Sequence, residues 1–256
     1  QVMVKDCAVG ATVTLYAPDG SQLAQKTADD LGSQVFRDVA PGDGYEVTQT
    51  VDGSESPRSE AVEVFSVDYT PPQSLYDDQT LTEGFGYFEV RDGTKLALQV
   101  QLPDGEGPFP VLIMYSGYAP STNLLLPPAL VNNLGYALVG VNKRGTQCSG
   151  GKFDLWERLQ WLDGYDMVET IAAQDWADGI GLVGASYSGY SQFYVAATQP
   201  PSLDAISPGH PVGDFYRGVG YPGGVLNNKF ATGWASSRDS ENKPFTDDPG
   251  FGDVDE

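Results

Sequence analysis

Two kinds of hydrophobic pattern divide the chain. Up to residue 68, apolar and polar positions alternate in short runs: Thr12-Val13-Thr14-Leu15-Tyr16, Gln34-Val35-Phe36, Tyr45 to Val51, and Ala61-Val62-Glu63-Val64-Phe65. A period of two sends successive side chains to opposite faces of a sheet, and the runs are rich in β-branched residues. Between them stand Pro18-Asp19-Gly20, Pro41-Gly42-Asp43-Gly44 and Asp52-Gly53, residues that favour turns because Pro presets φ and Gly accepts positive φ. Short strands with this punctuation predict a small all-β sandwich over residues 1–68.

From Gly84 onward the pattern changes. Tyr87 to Gln101, with Asp92-Gly93 inside it, predicts a hairpin. Phe109 to Tyr115 and Tyr136 to Val141 are nearly continuous apolar runs, the signature of strands covered on both faces. Gly181-Leu182-Val183-Gly184 and Leu203-Asp204-Ala205-Ile206 predict two more strands. Between these lie helical patterns. Tyr165, Val168, Ile171, Ala172 and Trp176 recur at three-to-four spacing, and Ser188 to Thr198 is closed by Pro200-Pro201. Buried strands alternating with helices predict a mostly parallel α/β sheet with helices on both faces, over residues 84–221. Residues 69–83, with Pro71-Pro72 and Asp77-Asp78, predict a stiff, solvated linker. Residues 222–256 are polar and rich in Gly, Pro and Asp, and are expected to be irregular.

Composition narrows the partners. Lys and Arg number 14 against 35 Asp and Glu, a formal net charge of −21 that repels phosphate backbones and anionic lipid. Nucleic acid is therefore not an expected partner. No apolar run approaches the roughly 20 residues of a bilayer helix, so no membrane insertion is expected. Cys7 and Cys148 form no metal pattern, and no cofactor fingerprint appears. Acidic stretches such as Thr246-Asp247-Asp248 lack the ligand spacing of a calcium loop. Asp163, Asp166 and Glu169 look like one solvated helix face, and Trp156, Trp161 and Trp176 like core or cap-facing aromatics.

The sharpest chemical signal is Gly184-Ala185-Ser186-Tyr187-Ser188-Gly189, placed between a buried strand and a helix. This is the setting of a nucleophile elbow, where a serine on a strained bend is presented at the top of the sheet. Small residues around the serine let strand and helix approach. The match is to a variant of the G-x-S-x-G form, with Ser188 at the second position after the serine and Gly189 one later.

Several ordered segments resemble the X-Pro dipeptidyl-peptidase and cocaine-esterase (CocE/NonD) group of α/β hydrolases. They are Arg91-Asp92-Gly93-Thr94-Lys95-Leu96-Ala97, Pro110 to Ile113 with Gly117-Tyr118, Gly135 to Val139, and Arg144-Gly145-Thr146 with Ser149-Gly150-Gly151. Then follow Trp176 to Gly179 leading into the elbow, and Asp214-Phe215-Tyr216-Arg217 with Gly223-Gly224. The resemblance covers about residues 86–225 and implies an α/β-hydrolase fold. It implies Ser186 as the nucleophile, the Tyr187 N–H as one oxyanion donor and the Tyr118 hydroxyl as the other. Arg144 is expected to brace its loop, and Asp214 to cap a helix or pair with Arg217.

One departure stands beside the resemblance. A serine nucleophile needs a base, ordinarily a histidine oriented by a carboxylate and placed after the serine. The single histidine, His210, follows the strand next after the nucleophile's, within Ser207-Pro208-Gly209-His210-Pro211, too early for the family's base. It is either a turn histidine or a substitute base. The chain is therefore expected to be the N-terminal part of a hydrolase, lacking acid and base and ending as a cap begins. The expected activity is hydrolysis of an ester or X-Pro peptide of small size through an acyl-enzyme on Ser186, weak or absent in this form. Two other readings stay open: a non-catalytic binding or adhesion protein on a degenerate hydrolase scaffold, and a carbohydrate esterase. Residues 1–68, an immunoglobulin-like or carboxypeptidase-regulatory-like module, would then be a spacer or a surface or glycan contact. The acidic surface, leading sandwich and non-Met start lead to an expectation of secretion.

Overall fold

The computed structural model describes residues 1–66, 68–118 and 127–241. The chain forms two compact units, Gln1–Pro71 and Pro72–Glu256.

The first unit is all β. Its strands are β1 (Val2–Val4), β2 (Thr12–Tyr16), β3 (Gln22–Thr27), β4 (Gln34–Phe36), β5 (Gly42–Val51), β6 (Ser54–Glu55) and β7 (Val62–Val64). One antiparallel sheet runs β3-β2-β5-β6, with β7 also paired to β5, and a second consists of β1 and β4. Val13 and Leu15 of β2 and Tyr45 of β5 meet Val2 and Phe36 of the smaller sheet in one core. The Pro18-Asp19-Gly20 turn joins β2 to β3; Asp19 Oδ1 accepts from the N–H (2.9 Å) and hydroxyl (2.6 Å) of Ser21. Pro41 to Gly44 is not a turn, however. Gly42 and Gly44 lie inside β5, where the register with β7 shifts between Gly42 and Tyr45. The glycines there serve a bulge.

The second unit opens with the short helix α1 (Ser74–Asp77). Residues 72–83 are not the solvated linker their composition suggests. Tyr76 and Leu81 are buried, and the Tyr76 hydroxyl donates to Asp166 Oδ1 at 2.8 Å. The Leu81 N–H donates to Gln174 Oε1 at 2.8 Å, and Trp176 Nε1 donates to the Leu81 carbonyl at 2.9 Å. Pro71-Pro72 does mark the boundary between the units.

The remaining strands are β8 (Gly84–Glu89), β9 (Lys95–Gln101), β10 (Phe109–Ser116), β11 (Ala137–Asn142), β12 (Ala177–Ala185) and β13 (Leu203–Gly209). The helices are α2 (Pro128–Asn133), α3 (Arg158–Ala172), α4 (Tyr187–Ala197) and α5 (Phe230–Glu241). The sheet order is β13-β12-β10-β11-β9-β8, parallel from β13 to β11 and antiparallel across β9 and β8. Every residue of β11 is buried, as an internal parallel strand requires. Val111, Ile113 and Tyr115 of β10 pack with Met167, Val168 and Ile171 of α3 and Val195 of α4. Met114, on the other face, packs with Leu138 and with Val131 of α2. Alternation along β10 thus feeds both layers. Residues 222–241, expected to be irregular, include a 3-10 turn and α5; Thr246-Asp247-Asp248 lies outside the described residues.

This order creates a switch point. The chain leaves β10 toward β11 on one side, and leaves β12 toward β13 on the other. A crevice opens where the carboxyl ends of β10 and β12 lie side by side, the place where open α/β sheets bind ligands.

The carboxylates of α3 tie several of these segments together. Asp163 and Asp166 are fully buried and Glu169 nearly so, not a solvated face. Arg144, itself 1% exposed, donates from Nε to Asp163 Oδ2 at 2.6 Å and bonds Asp92 at 2.9 Å. Arg91 donates to both oxygens of Asp166, at 3.0 and 2.8 Å. Glu169 accepts from the N–H and hydroxyl of Ser202. Removing one member of a buried pair leaves its partner's charge without compensation. Asp166→Ala is therefore expected to lower the unfolding free energy of the chain by about 3–5 kcal/mol in urea titrations. A loss below about 1 kcal/mol would mean that the pair is solvated.

Candidate active site

β12 ends at Ala185, and Ser186 follows at φ 55° and ψ −119° before α4 begins at Tyr187. A non-glycine residue in that region is strained, and such strain concentrates at functional sites. The bend is held by close approach. The Ser186 N–H donates to the Gly209 carbonyl of β13 at 2.9 Å, and its own carbonyl accepts from the Tyr190 N–H at 2.9 Å. A Cβ at Gly184 would lie 2.3 Å from Ser188 Oγ, and one at Gly189 would lie 2.5 Å from the Gly209 carbonyl oxygen. The second glycine therefore belongs one place later than in the short form of the motif, because Gly189 is the α4 residue that meets β13. Ser186 itself is exposed.

The resemblance names two residues beside the nucleophile, Tyr187 and Tyr118, and the structure brings their side chains together. Tyr187 is the first residue of α4, so its N–H has no intrahelical carbonyl, and the helix end favours negative charge. Tyr118 stands just past β10. Its N–H donates to Ser116 Oγ, its carbonyl accepts from Asn142 Nδ2, and its hydroxyl accepts from Trp234 Nε1, each at 3.0 Å. An indole N–H bonded to the Tyr118 oxygen leaves that hydroxyl's hydrogen to point elsewhere. The Tyr118 and Tyr187 rings meet edge to face at 5.4 Å. The Arg238 guanidinium lies over the Tyr118 ring at 4.9 Å.

Ser186 opens onto a cavity of about 230 Å³ whose walls are aromatic: Trp156, Tyr187, Tyr190, Phe215, Phe230 and Trp234. Trp156 is central. It takes φ 54°, an outlying value for so bulky a residue, and its ring touches Tyr187, Tyr190, Phe215 and Trp234. Its Nε1 is buried with no hydrogen-bond partner among the described residues. The other two tryptophans are structural: Trp161 stacks on Tyr194 at 4.7 Å, and Trp176 braces Leu81.

His210 lies at the end of β13 with φ 51°, exposed, and shares the cavity with Ser186. Among the described residues no imidazole or carboxylate is hydrogen-bonded to the Ser186 hydroxyl. Asp214 accepts from the Arg217 N–H at 2.9 Å and pairs with its guanidinium, as a cap and ion-pair partner. Among the described residues no group of three His, Cys, Asp or Glu side chains could hold a metal ion.

The motif shows Ser186 and its neighbours, but Trp234 and Phe230 carry no local signal and reach the site only through α5. Phe215 arrives from the Asp214-Phe215-Tyr216-Arg217 segment that follows β13.

Strand, sharp bend and helix at the switch point of a mostly parallel sheet define an α/β-hydrolase fold. Residues 92–251 match the sequence model of the X-Pro dipeptidyl-peptidase (S15) family, and the chain belongs to that family. It is 35% identical over 158 residues to cocaine esterase from Rhodococcus sp. (strain MB1 Bresler), across 57% of this chain and 27% of that protein. A CocE/NonD family hydrolase from Staphylococcus aureus superposes with a TM-score of 0.57 at 29% identity, over 64% of this chain and 33% of that one. An aminopeptidase from the marine sediment archaeon Thaumarchaeota archaeon shares the fold, with a TM-score of 0.56 at 18% identity, over 76% and 34% of the two chains. The chain thus spans between 27% and 34% of the length of these relatives.

The close approach at Gly189 is directly testable. Gly189→Ala is expected to destabilise the chain by about 1–3 kcal/mol, because its methyl group meets a backbone carbonyl that cannot step aside. Gly213→Ala, whose methyl group would meet nothing within 4 Å, serves as the silent control. Equal urea midpoints for the two variants would show that α4 and β13 are not in contact there.

Proposed function

We propose that the chain carries the nucleophile and oxyanion hole of a serine hydrolase acting on a small ester or X-Pro-type peptide. The observation that carries this reading is the exposed Ser186 on a strained bend, directly before the Tyr187 N–H at the head of α4 and at the mouth of an aromatic cavity. Ser186 Oγ attacks the carbonyl carbon. The carbonyl oxygen becomes an alkoxide held by the Tyr187 N–H and the Tyr118 hydroxyl. Collapse expels the alcohol or amine with a proton, and water then releases the acyl group from serine. Donors aimed at the developing charge act strongly because they need no reorganisation. The aromatic walls favour a compact apolar group next to the scissile bond, and the family match supports the ester or peptide class.

The base and the acid that orients it are proposed to lie outside this chain. A second reading, with His210 as base, is favoured by the cavity it shares with Ser186. A third, a binding protein on a hydrolase scaffold, is favoured by the lack of a hydrogen-bonded base at Ser186 among the described residues.

A fluorophosphonate probe separates the three. Stoichiometric labelling of Ser186, abolished in Ser186→Ala, is expected in any longer version that supplies the base, and slow labelling in the chain itself. No labelling in either supports the binding reading. Tyr118→Phe is expected to slow labelling by about 10²–10³, the cost of one oxyanion donor. His210→Ala is expected to leave the rate within about twofold, whereas a fall of about 10²–10⁴ would identify His210 as the base.

A further inference from the structure

Directly after the fully buried strand β11 the chain places Lys143, whose side chain is 1% exposed. A lysine that deep ordinarily has a carboxylate against it. Here the carboxylate that acts on it is Asp163 of α3, whose oxygens are taken up by Arg144. The Lys143 ammonium instead lies 5.0 Å from the centre of the Tyr115 ring and 4.5 Å from that of Tyr187, with Gln160 Oε1 at 3.5 Å. The Tyr187 hydroxyl, also buried, has no hydrogen-bond partner among the described residues. Nothing polar therefore fixes the far end of that ring, and its position depends on what touches its faces and edges.

Those contacts join the two halves of the oxyanion hole. A Cβ on Gly117 would lie 2.6 Å from Tyr187 Cε1, so the ring is wedged against the residue before Tyr118. The Lys143 N–H donates to the Ser116 carbonyl at 3.0 Å, and Ser116 Oγ accepts from the Tyr118 N–H. One residue thus holds the Tyr118 loop through its backbone and the Tyr187 ring through its charge.

We propose that Lys143 is a positioning residue for the oxyanion hole, its ammonium clamped between the Tyr115 and Tyr187 rings and holding the Tyr187 N–H in register with the Tyr118 hydroxyl. The proposal rests on the assignment of Ser186 and these two donors given above. The attraction between a cation and a ring face strengthens as water is excluded, and no water-exposed face remains here.

The clamp is protonation-dependent. Burial pushes the Lys143 ammonium down to about 7, against an upward pull from Asp163. The groups facing it are Tyr115 from β10, Gln160 and Asp163 from α3, and Tyr187 from α4. Burial raises both tyrosines, so they stay neutral across the range in which Lys143 titrates. Asp163 is itself raised to about 6 by burial, so the comparison belongs above that point. As pH rises through the depressed value, the amine becomes neutral and the ring contact weakens.

The test uses the whole 256-residue chain and two readouts. The first is the rate of fluorophosphonate labelling of Ser186 in the native protein and in Lys143→Met and Lys143→Arg. Native protein is expected to react about fivefold faster than Lys143→Met near pH 6.5, with the ratio falling toward one near pH 9. Lys143→Arg, charged throughout, is expected to keep the advantage at the higher pH. A ratio independent of pH overturns the proposal, because a lysine that only fills space would not sense its own proton. The second readout is the Tyr187 ring resonance in protein carrying ¹³C-labelled tyrosine, which is independent of Ser186 chemistry. It is expected to titrate with a midpoint near neutrality and to stop doing so in Lys143→Arg. A ring resonance that does not move overturns the proposal even where Lys143→Met does not fold. Absence of Ser186 labelling in native protein overturns the nucleophile assignment instead, and the ring titration still decides the clamp.

Discussion

At Ser186 the backbone turns through a conformation that L-residues avoid, and the surrounding packing over-determines it. Gly184 leaves room for Ser188, Gly189 lets α4 touch the carbonyl of Gly209, and the Ser186 N–H is bonded to that same carbonyl. Three elements therefore agree on one bend. Its consequences reach outward. The Tyr187 N–H stands at the head of α4, the Tyr187 side chain is driven beneath the Tyr118 loop, and the serine hydroxyl is left at the mouth of the crevice that the strand order opens. A strain of this kind costs about 1–3 kcal/mol and persists only where the rest of the fold outweighs it.

The parts of the architecture with a local cause were legible in the sequence. β10 and β11 announce themselves as continuous apolar runs, the elbow as small residues around a serine, and β2 as a period of two closed by Pro-Asp-Gly. What the sequence conceals depends on partners far away in the chain. Asp163 and Asp166 look like a solvated face because their guanidinium partners arrive from Arg144 and Arg91, separated by 19 and 75 residues. Tyr76 and Leu81 look like linker residues because the groups that bury them, Asp166 and Gln174, come much later. Pro41 to Gly44 has the composition of a turn but the role of a bulge. α5 has too weak an apolar stripe to be seen, and Trp234 matters through a single indole N–H.

Within the site the same limit applies. Ser186 can be picked out by motif, whereas the resemblance, not spacing, pointed to Tyr118 and Tyr187. Lys143 stands in no motif, although a Lys-Arg pair directly after an apolar strand is an unusual sequence. Its two members solve burial in opposite ways. Arg144 presents a planar fork to two carboxylates, and although burial alone would depress it, those carboxylates hold it well above its ordinary value. Lys143 has no such fork and lies among rings, and burial wins. A compact ammonium shifts readily where a guanidinium does not. Adjacent residues on one strand end thus supply a permanent structural charge and a conditional one.

The sign of the local field follows from this placement. The chain as a whole carries a formal charge of −21, which opposes the build-up of an alkoxide anywhere on its surface. Around Tyr118 and Tyr187 the order is reversed. Arg238 lies over Tyr118 and Lys143 beneath Tyr187, while Asp92 and Asp163 reach the region through Arg144. Cations therefore stand next to these two tyrosines, and carboxylates are held behind a guanidinium. Because buried charges at short range outweigh screened charges on the outer surface, the nearest cations set the local potential around Tyr118 and Tyr187. An acidic protein can in this way keep a locally positive potential beside Tyr118 and Tyr187, next to the aromatic cavity that Trp156, Phe215 and Trp234 line.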